Sequence, residues 1–126
     1  TFGMTAFISY GFFWISLVAL IFMGKWGWIS AASGPAMVSY LILWGIFTLL
    51  LFFGTLKLNI ALQFVFGSLT ILFFLLAIGD ATKNESISHF AGYEGIVCGA
   101  SAIYAAIAVL LNEVYGRVVL PLGVVK

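Results

Sequence analysis

The charged residues of this sequence are few, and they stand far apart. Five basic and four acidic side chains occur in 126 residues, and the first charge-free run covers residues 2–24. As an α-helix this run would be roughly 34 Å long, which is enough to cross the hydrocarbon core of a bilayer. Hydrophobic residues make up 64% of the chain, and its mean hydropathy is +1.25. Spacing and composition together predict an all-α, polytopic membrane protein.

Four transmembrane helices follow from the positions of the charges. Pro35 suits the first turn of the second helix, and the turn around Lys57 is short enough that the second and third helices form an antiparallel hairpin. The segment Asp80–Ser86 is expected to be the one hydrophilic loop of any size. All 126 residues are expected to form a single transmembrane domain, with helices at about residues 2–24, 35–56, 59–79 and 88–112.

The basic residues give the orientation of the chain a slight bias. Lys25 and Lys83 fall on one side of the membrane, and Lys57, Arg117 and Lys126 fall on the other. Because cytoplasmic segments carry the excess of Lys and Arg, this distribution favours a cytoplasmic carboxyl terminus.

The sequence carries none of the patterns that common catalytic sites need. A net charge of +1 gives no electrostatic basis for binding nucleic acid. No cluster has metal-ligand spacing, no nucleophile has a paired base, and no glycine-rich loop suits a phosphate. Cys98 is the only cysteine, so it cannot form an internal disulfide. We therefore expect no enzymatic activity, no metal and no cofactor.

Polar and small side chains recur at helical spacing, so that each predicted helix has one special face. The second helix presents Trp44, Thr48 and Thr55, and the fourth carries a small-residue stripe with the GxxxG pattern Gly95–Gly99. The rows of the first and third helices are Thr5, Ser9 and Ser16, and Asn59, Gln63 and Thr70. Two interpretations stay open for these faces: helix packing, or the lining of a pathway for a small polar solute.

Four titratable residues lie in or beside the fourth predicted helix. His89 stands at its start, as an interfacial residue or as a protonatable group at a pore mouth. Glu94 lies about one and a half turns inside, where its side chain can extend toward the interface. Glu113 and Arg117 are four residues apart, which is the spacing of a helical ion pair, and we expect them to form a structural clasp.

Five blocks along the chain are specific enough to indicate a family. They are TFGMTAFISYGFFW, LWGIFTLLLFFGTLK, LQFVFGSLTILFFLLAIG, HFAGYEGIVCGASAIY and LNEVYGRVVLPLG. In this order they resemble the acetate uptake transporter family, the succinate–acetate permeases of bacteria and archaea with relatives in fungi. The resemblance implies a six-helix protein that transports acetate and related small monocarboxylates, and in some members succinate.

The resemblance also implies where the protein is located and how it assembles. Members are multi-pass proteins of the plasma (inner) membrane in bacteria and archaea, and they form homo-oligomeric rings of six with a pathway inside each protomer. This chain starts where the third helix of the family starts. We therefore expect the first two helices, and the Asn-Pro-Ala-Pro-Leu-Gly-like stretch before them, to precede Thr1 in the parent protein. The family is expected to have an apolar residue where this chain has Glu94.

Candidate pathway residues come from the same resemblance. The narrow point of the family's pathway is built from an aromatic residue of the first helix, a Tyr of the third and a Leu of the fifth. The last two match Tyr10 and Leu69, and Ala102 matches a small residue of the last helix that helps to set substrate size. Together with the polar rows, the expected substrate pathway comprises Tyr10, Leu69, Ala102, Gln63, Thr70, Thr5 and Ser9.

The expected pathway has no Lys or Arg in the middle of the membrane. A fixed cation would bind a carboxylate tightly and slow its release, whereas hydroxyls and amides can replace part of the water shell at lower affinity. Proton symport and channel-like passage of the anion both stay open, and the lack of a buried carboxylate pair favours the channel-like route. The alternative function is a non-transporting helical membrane subunit, whose polar and small faces serve packing alone.

Overall fold

The computed structural model describes residues 2–125, and four α-helices account for most of them. The described chain contains no β-strand, and each helix is long and apolar enough to cross a membrane. The helices are α1 (Phe2–Lys25), α2 (Gly34–Thr55), α3 (Ile60–Thr82) and α4 (Glu85–Tyr115). The predicted all-α, polytopic membrane fold is confirmed.

Capping residues, and not charged residues, set the two ends of α4. The side chain of Asn84 accepts hydrogen bonds from two amides of the first turn, so α4 begins at Glu85 and not at residue 88. Gly116, in the left-handed conformation, ends the helix after Tyr115 and not after residue 112. A helix of 31 residues is roughly 46 Å long. The two ends of α4 therefore extend past a hydrocarbon core of about 30 Å.

The predicted hydrophilic loop Asp80–Ser86 is wrong in extent. The helix α3 continues to Thr82, Lys83 adopts a left-handed conformation with φ 53°, and α4 starts at Glu85. A left-handed residue after the last helical turn redirects the chain and satisfies terminal carbonyls. As a result α3 and α4 form a tight antiparallel hairpin.

The central helix is α3, which packs against both α2 and α4. A Cβ atom added at Gly45 of α2 would lie 3.2 Å from the ring of Phe74, and one added at Gly79 of α3 would lie 2.7 Å from the hydroxyl oxygen of Ser88. These distances are shorter than ordinary van der Waals contacts. The two glycines therefore let the helix backbones approach closely, as expected for packed transmembrane helices.

The small-residue stripe of α4 is used only in part for packing within the chain. A Cβ added at Gly95 would meet the side chain of Leu72 at 3.5 Å, but one added at Gly92 or Gly99 would meet nothing within 4 Å. The packing interpretation therefore applies to Gly95. Gly92 and Gly99 lie on an uncovered surface of the described chain.

Two clusters of buried side chains tie α1 to the other helices. The first joins α1, α3 and α4; we call it the Phe66 cluster, and its members are Ala6, Val65, Phe66 and Ala105. The second joins α1, α2 and α3; we call it the Phe73 cluster, and its members are Phe13, Leu41, Phe73 and Ala77. The rings of Phe13 and Phe73 meet edge to face, with centroids 5.0 Å apart and planes at 87°.

The segment after α4 folds back onto the start of α3. The amides of Ile60 and Ala61 donate to the carbonyls of Gly123 (2.8 Å) and Leu122 (3.0 Å), and the amide of Leu62 donates to the side chain of Asn59, which caps α3. Helix N-termini leave their first amides without intrahelical partners. The returning segment therefore satisfies donors that would otherwise lack partners.

Asn112 holds this returning segment in place. Its Oδ1 accepts from the amides of Val119 (2.7 Å) and Leu120 (3.0 Å), and its Nδ2 donates to the carbonyl of Leu120 (2.8 Å). The expected clasp between Glu113 and Arg117 is wrong, because the helix ends at residue 115 and Arg117 lies beyond it. A side-chain amide, and not an ion pair, fastens this end of the bundle.

Candidate functional site

A hydrogen bond between two hydroxyl groups joins α1 to α2 inside the bundle. The hydroxyl of Tyr10 donates to Oγ1 of Thr48 at 2.8 Å, and Thr48 in turn donates to the carbonyl of Trp44 at 2.7 Å. Thr48 has no exposed surface. Because Thr48 gives its only hydroxyl proton to Trp44, it is free to accept from Tyr10, and both hydroxyls are satisfied.

Aromatic rings pack around the ring of Tyr10 and hold it in place. The centroid of the Tyr10 ring lies 6.1 Å from that of Trp44, 6.4 Å from Phe47 and 6.0 Å from Phe66. Aromatic pairs at such distances and tilted angles are mutually favourable. We call these four residues the aromatic collar. The collar is a cluster of aromatic side chains that contains one hydrogen-bonded pair of hydroxyls, Tyr10 and Thr48.

The three residues expected at the narrow point lie around the same junction of helices. Tyr10 packs against both the Phe66 cluster and the Phe73 cluster. Ala102 packs against the Phe66 cluster from α4, and Leu69 packs against the Phe73 cluster from α3. The fold therefore brings residues from α1, α3 and α4 to neighbouring positions, although they are far apart in the sequence. Their part in a pathway stays a prediction.

Gln63 and Thr70, from the polar row of α3, have partners within the described chain. Thr70 is buried and donates to the carbonyl of Phe66 at 2.7 Å. The amide of Gln63 donates to the carbonyl of Thr55, at the end of α2, at 3.5 Å. A hydroxyl bonded to its own helix is satisfied without a solute. The bond of Thr70 therefore fits the packing interpretation of this residue.

The hydroxyls of α1 point in different directions. Ser16 and the hydroxyl of Tyr40 are 2.6 Å apart, so Ser16 forms a second polar link to α2. Ser9 is half-buried and Thr5 is exposed. The structure thus brings Tyr10 and Ser16 against α2, but it leaves Thr5 outside this contact.

Thr48 and Tyr40 take part in these contacts, although neither was among the expected pathway residues. Helical spacing placed Thr48 on the special face of its helix, but nothing in the spacing paired it with Tyr10. Tyr10 and Thr48 are 38 positions apart in the sequence. A search for hydroxyl residues on facing rows of adjacent helices would have proposed several such pairs without choosing among them.

The charges of the described chain lie almost entirely at the helix ends. Lys25 is in the last turn of α1, Lys57 lies between α2 and α3, Lys83 follows α3, and Arg117 follows α4. Within residues 2–125, no group of three His, Cys, Asp or Glu side chains could hold a metal ion. The collar therefore contains ring surfaces and one hydroxyl pair but no charged group.

Comparison with known proteins shows which family the chain resembles. The GPR1/FUN34/yaaH family matches residues 1–123. The succinate-acetate/proton symporter SatP of Escherichia coli strain K12 is 58% identical over 123 residues, which are 98% of this chain and 65% of that protein. An uncharacterised protein of Methanothermobacter thermautotrophicus is 49% identical over 128 residues, 96% of this chain and 63% of that protein.

A solved structure supports the same relationship. The structure of the bacterial acetate channel SatP matches with a TM-score of 0.92 and 58% sequence identity, over 98% of this chain and 68% of that chain. The chain thus spans slightly less than two-thirds of the length of the two curated relatives, at 65% and 63%. The family resemblance that the sequence indicated is confirmed.

Proposed function

The chain belongs to the GPR1/FUN34/yaaH family, and we propose that the protein is a membrane transporter, and not an enzyme, for acetate and related small monocarboxylates. Succinate is a further candidate substrate. The observation that carries the proposal is the 58% identity to proteins named as a succinate-acetate/proton symporter and an acetate channel, combined with four membrane-spanning helices.

The aromatic collar supports this function physically. A small carboxylate that reaches Tyr10 meets ring surfaces and no cation that would trap it. The hydroxyl of Tyr10 can donate to the carboxylate only by turning away from Thr48, to which it donates in this structure. Leu69 and Ala102 complete an apolar neck beside Tyr10. In this proposal the neck admits one small solute at a time, and selectivity follows from the volume that its side chains leave free.

The alternative function, a non-transporting helical subunit, has some support in the hydrogen bonds. Thr48 and Thr70 each donate to a carbonyl of their own helix, as packing residues do. The names of the relatives favour transport. Purified protein of natural length in lipid vesicles, with labelled acetate outside, separates the two functions. Acetate uptake above that of protein-free vesicles supports the transporter function, and uptake equal to theirs excludes it.

Two substitutions test the neck within the same assay. Leu69→Ala enlarges it, so lactate should enter faster relative to acetate, whereas Ala102→Leu should shift the ratio in the opposite direction. Overpacking at Ala102 typically costs about 1–3 kcal/mol of stability, so folded protein is quantified beside the flux. The matched control is Ile71→Ala, at an exposed position of α3. Equal lactate-to-acetate ratios in all four proteins would show that neither residue lines the neck.

We further propose a homo-hexamer in the plasma (inner) membrane of a bacterium or archaeon, with a pathway in each protomer and a cytoplasmic carboxyl terminus. Large apolar side chains of α1, including Trp14 and Phe22, are exposed in the single chain, and such surfaces are covered by lipid or by other subunits. Native mass spectrometry in mild detergent should give a symmetric oligomer. Monomer alone would exclude the ring.

A further inference from the structure

Glu94 is an acidic residue of α4 that lies beside the middle of α3. Its neighbour Gly95 faces Leu72, with 3.5 Å between an added Cβ and the leucine side chain. Leu72 lies near the middle of α3, which spans Ile60–Thr82. Glu94 therefore lies level with the middle of α3 and far from both ends of that helix. Ionisable residues at such depth are costly and are usually functional.

One oxygen of this carboxyl group is buried without a partner. Glu94 is half-buried, and among the residues of 2–125 that are not exposed its Oε2 is the only buried side-chain nitrogen or oxygen that lacks a hydrogen bond. Buried polar atoms are otherwise paired in nearly all native structures. No basic residue within 2–125 neutralises the Glu94 carboxylate, because all of them lie at the helix ends: Lys25, Lys57, Lys83 and Arg117.

The groups that face Glu94 provide no other charge. On α4 itself, Cys98 lies one turn further along and its thiol donates to the carbonyl of Val65 in α3 at 3.7 Å. The only titratable residue of α3 is Asp80, eight positions from Leu72 and close to the helix end. From α1, the nearest titratable group is Tyr10, whose hydroxyl already donates to Thr48. His89 and Glu85 lie in the first turns of α4.

The position of Glu94 connects it to the proposed neck. Leu72, which faces Gly95, is one helical turn from Leu69 on α3. Glu94, Cys98 and Ala102 follow one another at steps of four along α4. Eight residues of helix correspond to about 12 Å. The carboxyl group therefore stands roughly two turns from Ala102, on the side of α4 that packs toward the neck.

We propose that Glu94 is the proton-binding site of this transporter, a role that rests on the proposed carboxylate transport. The carboxylate of Glu94 takes a proton from a hydronium ion on the side where the substrate enters; an O–H bond of the hydronium breaks as the O–H bond of Glu94 forms. On the other side the O–H bond of Glu94 breaks and a water molecule accepts the proton, so the protein is unchanged after each cycle. Unlike the channel-like route that the sequence favoured, this mechanism couples the passage of the anion to a proton.

Labelling with dicyclohexylcarbodiimide tests proton binding without any need for transport. This apolar reagent reacts with protonated carboxyl groups within membranes: the carboxyl proton goes to a reagent nitrogen, the carboxyl oxygen bonds to the central carbon, and rearrangement gives a stable N-acylurea with no atom lost. Peptide mass spectrometry should find the adduct on Glu94, and its yield should decrease as rising pH removes the proton from the carboxyl group. Glu94→Gln should abolish it, whereas Glu113→Gln, which removes an exposed carboxyl group at the end of the same helix, should not.

Acetate transport by the same variants is the second test of the proposal. In vesicles the acetate flux of Glu94→Gln should lose the pH dependence that wild type and Glu113→Gln share; titration of acetate itself affects all three equally. Glu94→Met, an apolar replacement, should behave like Glu94→Gln if both proteins elute as folded oligomers. No adduct on Glu94 at any pH, or identical pH profiles in all variants, overturns the assignment. If no variant transports acetate, the proposed function fails, while labelling still decides whether Glu94 binds a proton.

Discussion

Replacing Thr48 by valine should destabilise the protein through the hydroxyl of Tyr10. Valine keeps the branched shape but removes the oxygen that accepts from Tyr10 at 2.8 Å. The carbonyl of Trp44 loses only an extra donor, because its helix amide remains. The Tyr10 hydroxyl is left among the rings of the collar without an acceptor, and an unsatisfied buried polar group costs about 1–3 kcal/mol.

Combining this change with Tyr10→Phe isolates the contribution of the hydrogen bond. Tyr10→Phe alone leaves Thr48 bonded to Trp44, so it should cost less than Thr48→Val. Removing both partners leaves no unsatisfied group, and the double variant should be more stable than the sum of the single effects predicts. Hydrogen bonds between transmembrane helices have coupling energies of about 0.6 kcal/mol on average and at most about 1.7 kcal/mol.

The assay is reversible unfolding of the wild type, both single variants and the double variant in mixed detergent micelles, followed by circular dichroism. A parallel cycle between Tyr10→Phe and Thr70→Val gives the control, because Thr70 is buried but donates only to its own helix at Phe66. That control cycle should be additive. If the cycle of Tyr10 and Thr48 is also additive within about 0.3 kcal/mol, the two hydroxyls do not stabilise each other and the reasoning is wrong.

Two further substitutions test the segment that returns after α4. Asn112→Ala removes three hydrogen bonds, so the amides of Val119 and Leu120 should exchange with deuterium at least about tenfold faster, corresponding to the loss of about 1.4 kcal/mol; unchanged exchange would show that Asn112 does not hold the segment. Gly123→Ala places a Cβ 2.9 Å from Cβ of Ile60 at φ +67°, and should destabilise the fold more than Gly27→Ala, where φ is +73° but nothing lies within 4 Å. Equal unfolding midpoints for the two alanine variants would contradict the contact.

The number, type and order of the helices could be predicted from the sequence, because each is decided locally. A charge-free apolar run has to satisfy its backbone within itself in a bilayer, and only a helix does this with one segment. The ends of the helices were predicted less accurately. Glu85 and Glu113 interrupt the apolar composition of α4 but do not stop the helix, since caps at Asn84 and Gly116 determine where its hydrogen bonds end.

Contacts between distant residues depended on the tertiary structure. The spacing of polar residues marked one face on each helix, but the rotation of each helix about its axis is set by packing against its neighbours. That rotation gave Tyr10 its partner Thr48 and left Thr5 exposed. It also buried one oxygen of Glu94 beside the middle of α3. The sequence alone determined that a carboxyl group enters the membrane, and only the packing of α3 against α4 decided that one of its oxygens would lack a partner there.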